Sequence, residues 1–322
     1  MPSSIHSNPY PSNLAFLGHP TLPTSLTGTS TAPAGVDSFE RRGAMTSSNT
    51  LPTMTGPTPP AELHHPRASL KATRIPELGP ELHAKLIRLS DPDTVTGIKD
   101  FAERVEEISR IFIAAGDPRG AFPALYKVIT HRAHASIDAQ SYGDNAWASK
   151  LVTDFGELYL KNLHAHLTGG SVSPGWQRYY TLAANPNVSL ERLVSVGATV
   201  HLVVDLPNSL ARIGTPTERQ EDFMHFGDIL LHGYEEMLEA AKAGHGIDMS
   251  EIFGLFVFGD IADAHHGEGT ATRFGFQTIR RKAWLLGQML QDGRRLLGRA
   301  EIAISWRTID GVLAGLDRKQ IL

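Results

Sequence analysis

His201 and Asp205 stand four residues apart in the stretch Ser189 to Gly214, SLERLVSVGATVHLVVDLPNSLARIG. The stretch reads as one long apolar helix, with a kink expected near Pro207 because proline lacks the N–H and crowds the preceding turn. At that spacing the two side chains share a face, about a turn apart. Gly197, His201, Asp205, Asn208 and Arg212 form a polar line, and Val200, Val203, Val204 and Leu206 cover much of the rest. A polar line on an apolar helix must be paired or must border a cavity, since a buried unpaired polar group costs roughly 1–3 kcal/mol. Three chemistries suit such a pair. Imidazole and carboxylate can ligate a divalent metal. They can act as general base and orienter. Or they can be a hydrogen-bonded pair that only holds helices together.

The following segment carries Asp222, His225, Asp228, His232 and Glu236 at spacings of three or four. Read as one helix from Thr217 to about Ala243, it puts them near one face, and His232 with Glu236 makes a second His-xxx-carboxylate pair. Two such pairs on neighbouring antiparallel helices can close a four-ligand site inside a bundle. The alternative is a solvated acidic face. GDIADAHHGEG, from Gly259 to Gly269, breaks a helix with adjacent histidines and can cap a pocket or simply end the helix. His131 with His134, and His164 with His166, lie near helix ends, where a histidine suits the dipole without further purpose. Arg280 shares a late helix face with Trp284. It is expected to pair with Asp205 or Asp222, or to grip an anionic substrate, with a structural salt bridge as the alternative.

The chain has 322 residues, 41% of them hydrophobic, with a net charge of -4, 15 histidines and no cysteine. These values fit a soluble globular protein. They exclude disulfide scaffolds, Cys-ligated zinc, iron–sulfur clusters and thiol nucleophiles. No clustered basic balance marks a nucleic-acid binder. No secretory signal is read, and no apolar run approaches the roughly 18 residues that span a bilayer. The expectations are therefore no nucleic acid, no membrane and a cytoplasmic site. GxGxxG, P-loop, GxSxG and HExxH patterns are missing, so nucleotide-dependent chemistry and standard serine hydrolysis have no support.

The elements that must position these residues are helical. Residues 1–75, rich in Pro, Ser, Thr and Gly, cannot bury enough apolar surface to offset ordering entropy, so a disordered tail is expected. Residues 76–322 are expected to form a single all-α helical bundle of about eight to ten helices. The spacing predicts helices over Pro80–Ser90, Thr94–Ala115, Gly120–Gln140, Asp144–Leu167 and Ser173–Ala184, the last with Pro174 in its first turn and Trp176 behind it. After the central helix come Thr217–Ala243, Glu251–Ala264, Phe274–Leu290 and Arg294–Leu316. Strand signals are missing.

The segments FPALYKVITHRAHASI, DFGELYLKNLHAHLTG, SPGWQRYYTLA, VGATVHLVVDL and FGFQTIRRKAWLLGQML resemble an all-helical, mainly bacterial family catalogued only as a domain of unknown function. The matching positions are Tyr126, Trp176, His201 with Asp205, Asp222, and Arg280 or Arg281 with Trp284, over about residues 118–300. The resemblance implies an all-α fold centred on His201 and Asp205 and brings no reaction. His225, His232 and HHGEG depart from its pattern. A thinner resemblance, to zinc-dependent phospholipase C and related nucleases, rests on the order His201/Asp205 then His232/Glu236. Those enzymes are secreted, whereas no secretory signal is read here.

The first functional expectation is a metal-dependent enzyme acting on a small ester or phosphoester. His201, Asp205, Asp222, His225 and His232 would hold zinc or iron, and Arg280 would hold substrate charge. The second is a metal-free lyase or cyclase in which His201 and Asp205 do acid–base work and Tyr126, Tyr159, Trp176 and Trp284 shape an apolar pocket. The third is a non-catalytic small-molecule binding or scaffold protein. Several carboxylates and histidines converging on one point would mark the first. One His–Asp pair on an open apolar cavity would mark the second, and a filled interior the third.

Overall fold

A computed structural model describes residues 71–248 and 270–322 apart from Ile321. All fall in one compact unit, Glu62–Leu322. The described residues are helical without strands. In chain order the helices are α1 (Pro80–Ser90), α2 (Ile98–Ala114), α3 (Ala121–Asp138), α4 (Asn145–Thr168), α5 (Pro174–Ala183) and α6 (Leu190–Thr199). Then come α7 (Leu206–Arg212), α8 (Gln220–Leu231), α9 (Tyr234–His245), α10 (Thr270–Gln291) and α11 (Arg295–Arg318). The expected tail up to residue 70, the Glu251–Ala264 helix and the Gly259–Gly269 loop lie outside the described residues. Residues 71–75, assigned to the tail, are in fact docked. Ala72 is buried, its N–H donates to the Val188 carbonyl at 2.7 Å, and the Thr73 hydroxyl donates to the Gly116 carbonyl at 3.0 Å.

Local signals explain most boundaries. Asp144 caps α4 by accepting from the Trp147 N–H at 2.9 Å, and Gly169 ends that helix at φ 72°. Ser189 caps α6 by accepting from the Arg192 N–H. At α2 the cap position is Gly97, and the Thr94 hydroxyl accepts from Arg104.

Two departures matter for the site. The central helix runs from Leu190 to Arg212, but Val200–Asp205 is wound as a π-helix, with the Leu206 N–H donating to the His201 carbonyl. Pro207 follows directly. It brings no N–H to the Val203 carbonyl, and the wider turn opens room for its ring. The expected kink thus takes the form of a π turn that begins beside His201 and ends at Asp205. Second, the single helix expected over Thr217–Ala243 breaks at His232-Gly233 into α8 and α9. The Arg132 guanidinium packs where a Gly233 side chain would stand, so the backbone there must be bare. His232 and Glu236 therefore sit on different helices and are not an i,i+4 pair.

Leu190–Arg212 is long and apolar enough to cross a membrane by length and composition, with mean hydropathy 1.3, contrary to the sequence-based expectation. Yet 78% of its apolar 18-residue window is buried in the fold, which makes it the core helix here. It sits between two apolar clusters, one around Phe101, Phe122, Tyr159 and Trp176, the other around Trp147, Phe223 and Trp284. Gly197 lets it approach α3: a Cβ there would meet the Phe122 Cβ at 2.7 Å.

Burial also fixes a pH dependence. The His166 ring stacks on Tyr180 at 3.9 Å, and burial, aided by the Arg119 charge, holds its pKa at about 4 instead of 6.5. His201 and His245 are pushed down by burial too. Between pH 6.5 and 4 the unfolded chain binds more protons at these positions than the folded one, so stability falls as pH falls through that window. His166→Phe keeps the stack and removes the titration. Its urea unfolding free energy is expected to decline less between pH 7 and pH 5, by about 1 kcal/mol after allowing for the ring's partial exposure. An unchanged slope would show that the ring is not desolvated in the folded state.

Candidate active site

His201 and Asp205 form the buried pair that their spacing implies. The Nδ1–H of His201 donates to Asp205 Oδ2 at 3.0 Å, and the residues are 3% and 4% exposed. The same carboxylate oxygen accepts from Trp176 Nε1 at 2.8 Å. Aromatic rings fix the imidazole plane. Phe155 stacks on it with centroids 3.7 Å apart at 13°, and Tyr126 meets it edge-on at 4.7 Å. With Nδ1 committed to Asp205, the neutral ring presents Nε2 as an acceptor. Nε2 is buried and has no hydrogen-bond partner among the described residues. Burial lowers the imidazole pKa, and the Asp205 hydrogen bond and charge oppose that shift. Burial, with the Asp205 charge adding to it, raises the Tyr126 hydroxyl well above its ordinary value.

His201 lines a cavity of about 60 Å³ at the seam between the two apolar clusters, walled by Tyr126, Phe155, Leu206, Phe223, Phe226 and Phe276. That volume holds a few water-sized groups, each needing roughly 10–15 Å³, and is under half of the about 150 Å³ cavity that takes benzene. Arg280 also lines it, 2% exposed. The expected pairing of Arg280 with Asp205 or Asp222 does not occur. Its guanidinium donates to the Phe223 carbonyl and lies over the Phe223 ring at 4.1 Å, with Phe226 and Phe276 at 5.5 and 5.6 Å. Its Nε is buried without a partner among the described residues. Burial pulls its pKa down to about 9, while Tyr142 and Asp228 push the other way. Gly227 permits this placement, because a Cβ there would stand 2.5 Å from Arg280 Nε.

The other expected metal ligands go elsewhere. Asp222 accepts from the Gly143 and Asp144 N–H groups and pairs with Arg219, so it fastens the α3–α4 turn. His225 meets the Tyr142 ring edge at 6.0 Å. His232 Nδ1 donates to the Asp228 carbonyl at 2.7 Å as α8 ends, and Glu236 pairs with Arg132. Among the described residues no three His, Asp or Glu side chains come close enough to hold a metal ion. The five-residue shell is not assembled, because the α8–α9 break and the Asp222 turn contacts take its members away from His201.

Of the expected pocket residues, Tyr126 lines the cavity. Trp176 instead anchors Asp205, and Trp284 packs behind Phe223 at 5.2 Å. Phe155 and the α8 phenyl rings Phe223 and Phe226 were not singled out as site residues from the sequence. Phe155 reads simply as core stripe, and nothing local says that its ring lands on an imidazole. The Trp176–Asp205 bond had a usable signal, since a buried indole N–H needs an acceptor and an isolated core carboxylate needs donors.

Fold and site together define an all-helical protein with one oriented histidine on the wall of a buried apolar cavity. The chain belongs to a family of unknown function, DUF5995, whose profile matches residues 98–310, from the start of α2 into α11. That span contains the pair, the cavity and Arg280. No curated protein and no solved structure matches the chain significantly.

Proposed function

We propose that the cavity is an acid–base site for a small, mostly apolar organic acid, and that the protein is a metal-free lyase or cyclase. One observation carries this reading: His201 Nε2 is buried on an apolar cavity wall with no partner among the described residues, while Nδ1 is held by Asp205. An orphaned buried acceptor costs roughly 1–3 kcal/mol, and a ligand proton donor removes that cost. In this reading Nε2 takes a proton from the substrate. Asp205 fixes the tautomer and stabilises the imidazolium that results, the roles such a carboxylate can fill without being protonated. Arg280 holds the substrate carboxylate. Its burial supports this role, since a desolvated guanidinium beside phenyl rings is retained at a cost in stability. A metal-dependent reading keeps His201 and Asp205 as two donors, and the described residues supply no third.

The test is thermal melting of the full chain with a panel of short aliphatic carboxylic acids, beside native mass spectrometry for a co-purifying acid. At least one acid is expected to raise the wild-type melting temperature and to fail with His201→Phe and Arg280→Met. Arg280→Met alone is expected to melt no lower than the wild type, because an apolar side chain of similar length replaces a fully buried cation that makes no salt bridge among the described residues. If no acid stabilises the wild type and none co-purifies, the reading is wrong.

A further inference from the structure

Asp205 lines a second space, an open cleft of about 650 Å³ bordered by α4, the α5 N-terminus, α7, the end of α10 and the start of α11. Its size is that of a site for an ordinary metabolite. Lys161, Arg212, Arg295 and Arg299 line it, and Asp205 is the one carboxylate among the described lining residues. Arg212 is committed to Asp154, at 2.6 Å, and the Arg295 Nε–H donates to the Leu290 carbonyl at 3.2 Å. Among the described residues no hydrogen bond or ion pair engages Lys161 or Arg299.

The α5 N-terminus borders the same cleft, with its Ser173 N–H donating to Asn162 Oδ1 at 2.8 Å and Pro174 bringing no N–H. Ser173 occupies the cap position, yet its side chain makes no capping bond, and its Oγ is buried without a partner. The positive end of the helix dipole favours an anion nearby. The two bonds to Asp205 both go to Oδ2, so Oδ1 holds no hydrogen bond among the described residues. A purely anionic ligand would leave that oxygen repelled. A ligand with a hydroxyl beside its anionic group satisfies both ends.

We infer that this cleft binds a hydroxylated organic phosphate. The phosphate is held by Lys161, Arg295 and Arg299, and a hydroxyl donates to Asp205. The site is separate from the apolar cavity, whose lining includes His201 and not Asp205, and the two meet only through the His201–Asp205 hydrogen bond, so the proposal does not rest on the acid–base reading.

The test is calorimetric titration of the full chain with glucose 6-phosphate, glucose and inorganic phosphate at fixed ionic strength. Vesicles of phosphatidylcholine with and without phosphatidic acid form a separate arm. Glucose 6-phosphate is expected to bind more tightly than inorganic phosphate, and glucose not at all. Arg295→Glu/Arg299→Glu, both at exposed positions, is expected to weaken binding by about tenfold or more at an unchanged melting temperature. Arg88→Glu/Lys99→Glu, the same charge change at exposed positions that do not line the cleft, is expected to leave binding within about twofold of the wild type. Binding confined to phosphatidic acid vesicles and lost in the α11 variant would assign the same phosphate chemistry to a lipid headgroup. No binding in either arm, or equal weakening by both double variants, overturns the proposal.

Discussion

Asp205→Ala is expected to destabilise the protein by roughly 2–5 kcal/mol, because the substitution orphans two buried donors, the Trp176 indole N–H and the His201 imidazole N–H, and leaves a void. Asp205→Asn should behave differently. Both hydrogen bonds end on one carboxylate oxygen, so an asparagine carbonyl in that position can accept both. Most of the stability should survive while the charge that would stabilise a His201 imidazolium is gone. Urea unfolding of the two variants, with Trp fluorescence as the probe, checks the stability contrast. Nitrogen NMR of His201 should show Nδ1 still protonated in Asp205→Asn and the ring neutral to lower pH than in the wild type. Equal destabilisation by both variants would mean that the charge, rather than the hydrogen bonds, holds this part of the core together.

The second large effect is expected at Gly197. A Cβ at this position would stand 2.7 Å from the Phe122 Cβ and 2.9 Å from its Cγ. Those atoms are fixed close to the α3 backbone, so no side-chain rotation relieves the clash, and the helices must part. Gly197→Leu should cost at least the upper part of the about 1–3 kcal/mol seen for overpacked cores. Gly197→Ala should cost less, since alanine regains up to about 1 kcal/mol of helix propensity. Because Phe122 also meets the His201 ring, at 5.6 Å, the displaced helix would widen the cavity as well. Binding of the stabilising acid should therefore weaken in Gly197→Ala even where folding is retained. A melting temperature for Gly197→Leu within a degree or two of the wild type would show that α3 and α6 are not held at this separation.

How much of this was legible beforehand differs from residue to residue. The α1 and α4 boundaries follow from Pro80, the Asp144 cap and Gly169, whose effects are local and need no partner. The His201–Asp205 contact follows from four-residue spacing on an apolar helix, and family membership agrees with the resemblance carried by that same segment. The second pair was misplaced because the break at Gly233 depends on Arg132, a residue about a hundred positions earlier, packing against bare backbone. Arg280 was expected to meet a carboxylate because charge pairing is the usual fate of an inward arginine. Its actual neighbours, three phenyl rings and a carbonyl, come from α8 and from its own helix.

By itself the sequence determined the all-helical class, most helix boundaries and the polar pair on the central helix, since helical periodicity, capping and glycine stops are set by residues within a turn or two of each other. Only the tertiary structure decided that Nε2 of His201 would be left unpartnered at an apolar cavity, that Trp176 would hold Asp205, and that the proposed metal ligands would disperse to turns and surface pairs. Those outcomes depend on which side chains from distant helices fill the space around one imidazole, and chain spacing does not encode that.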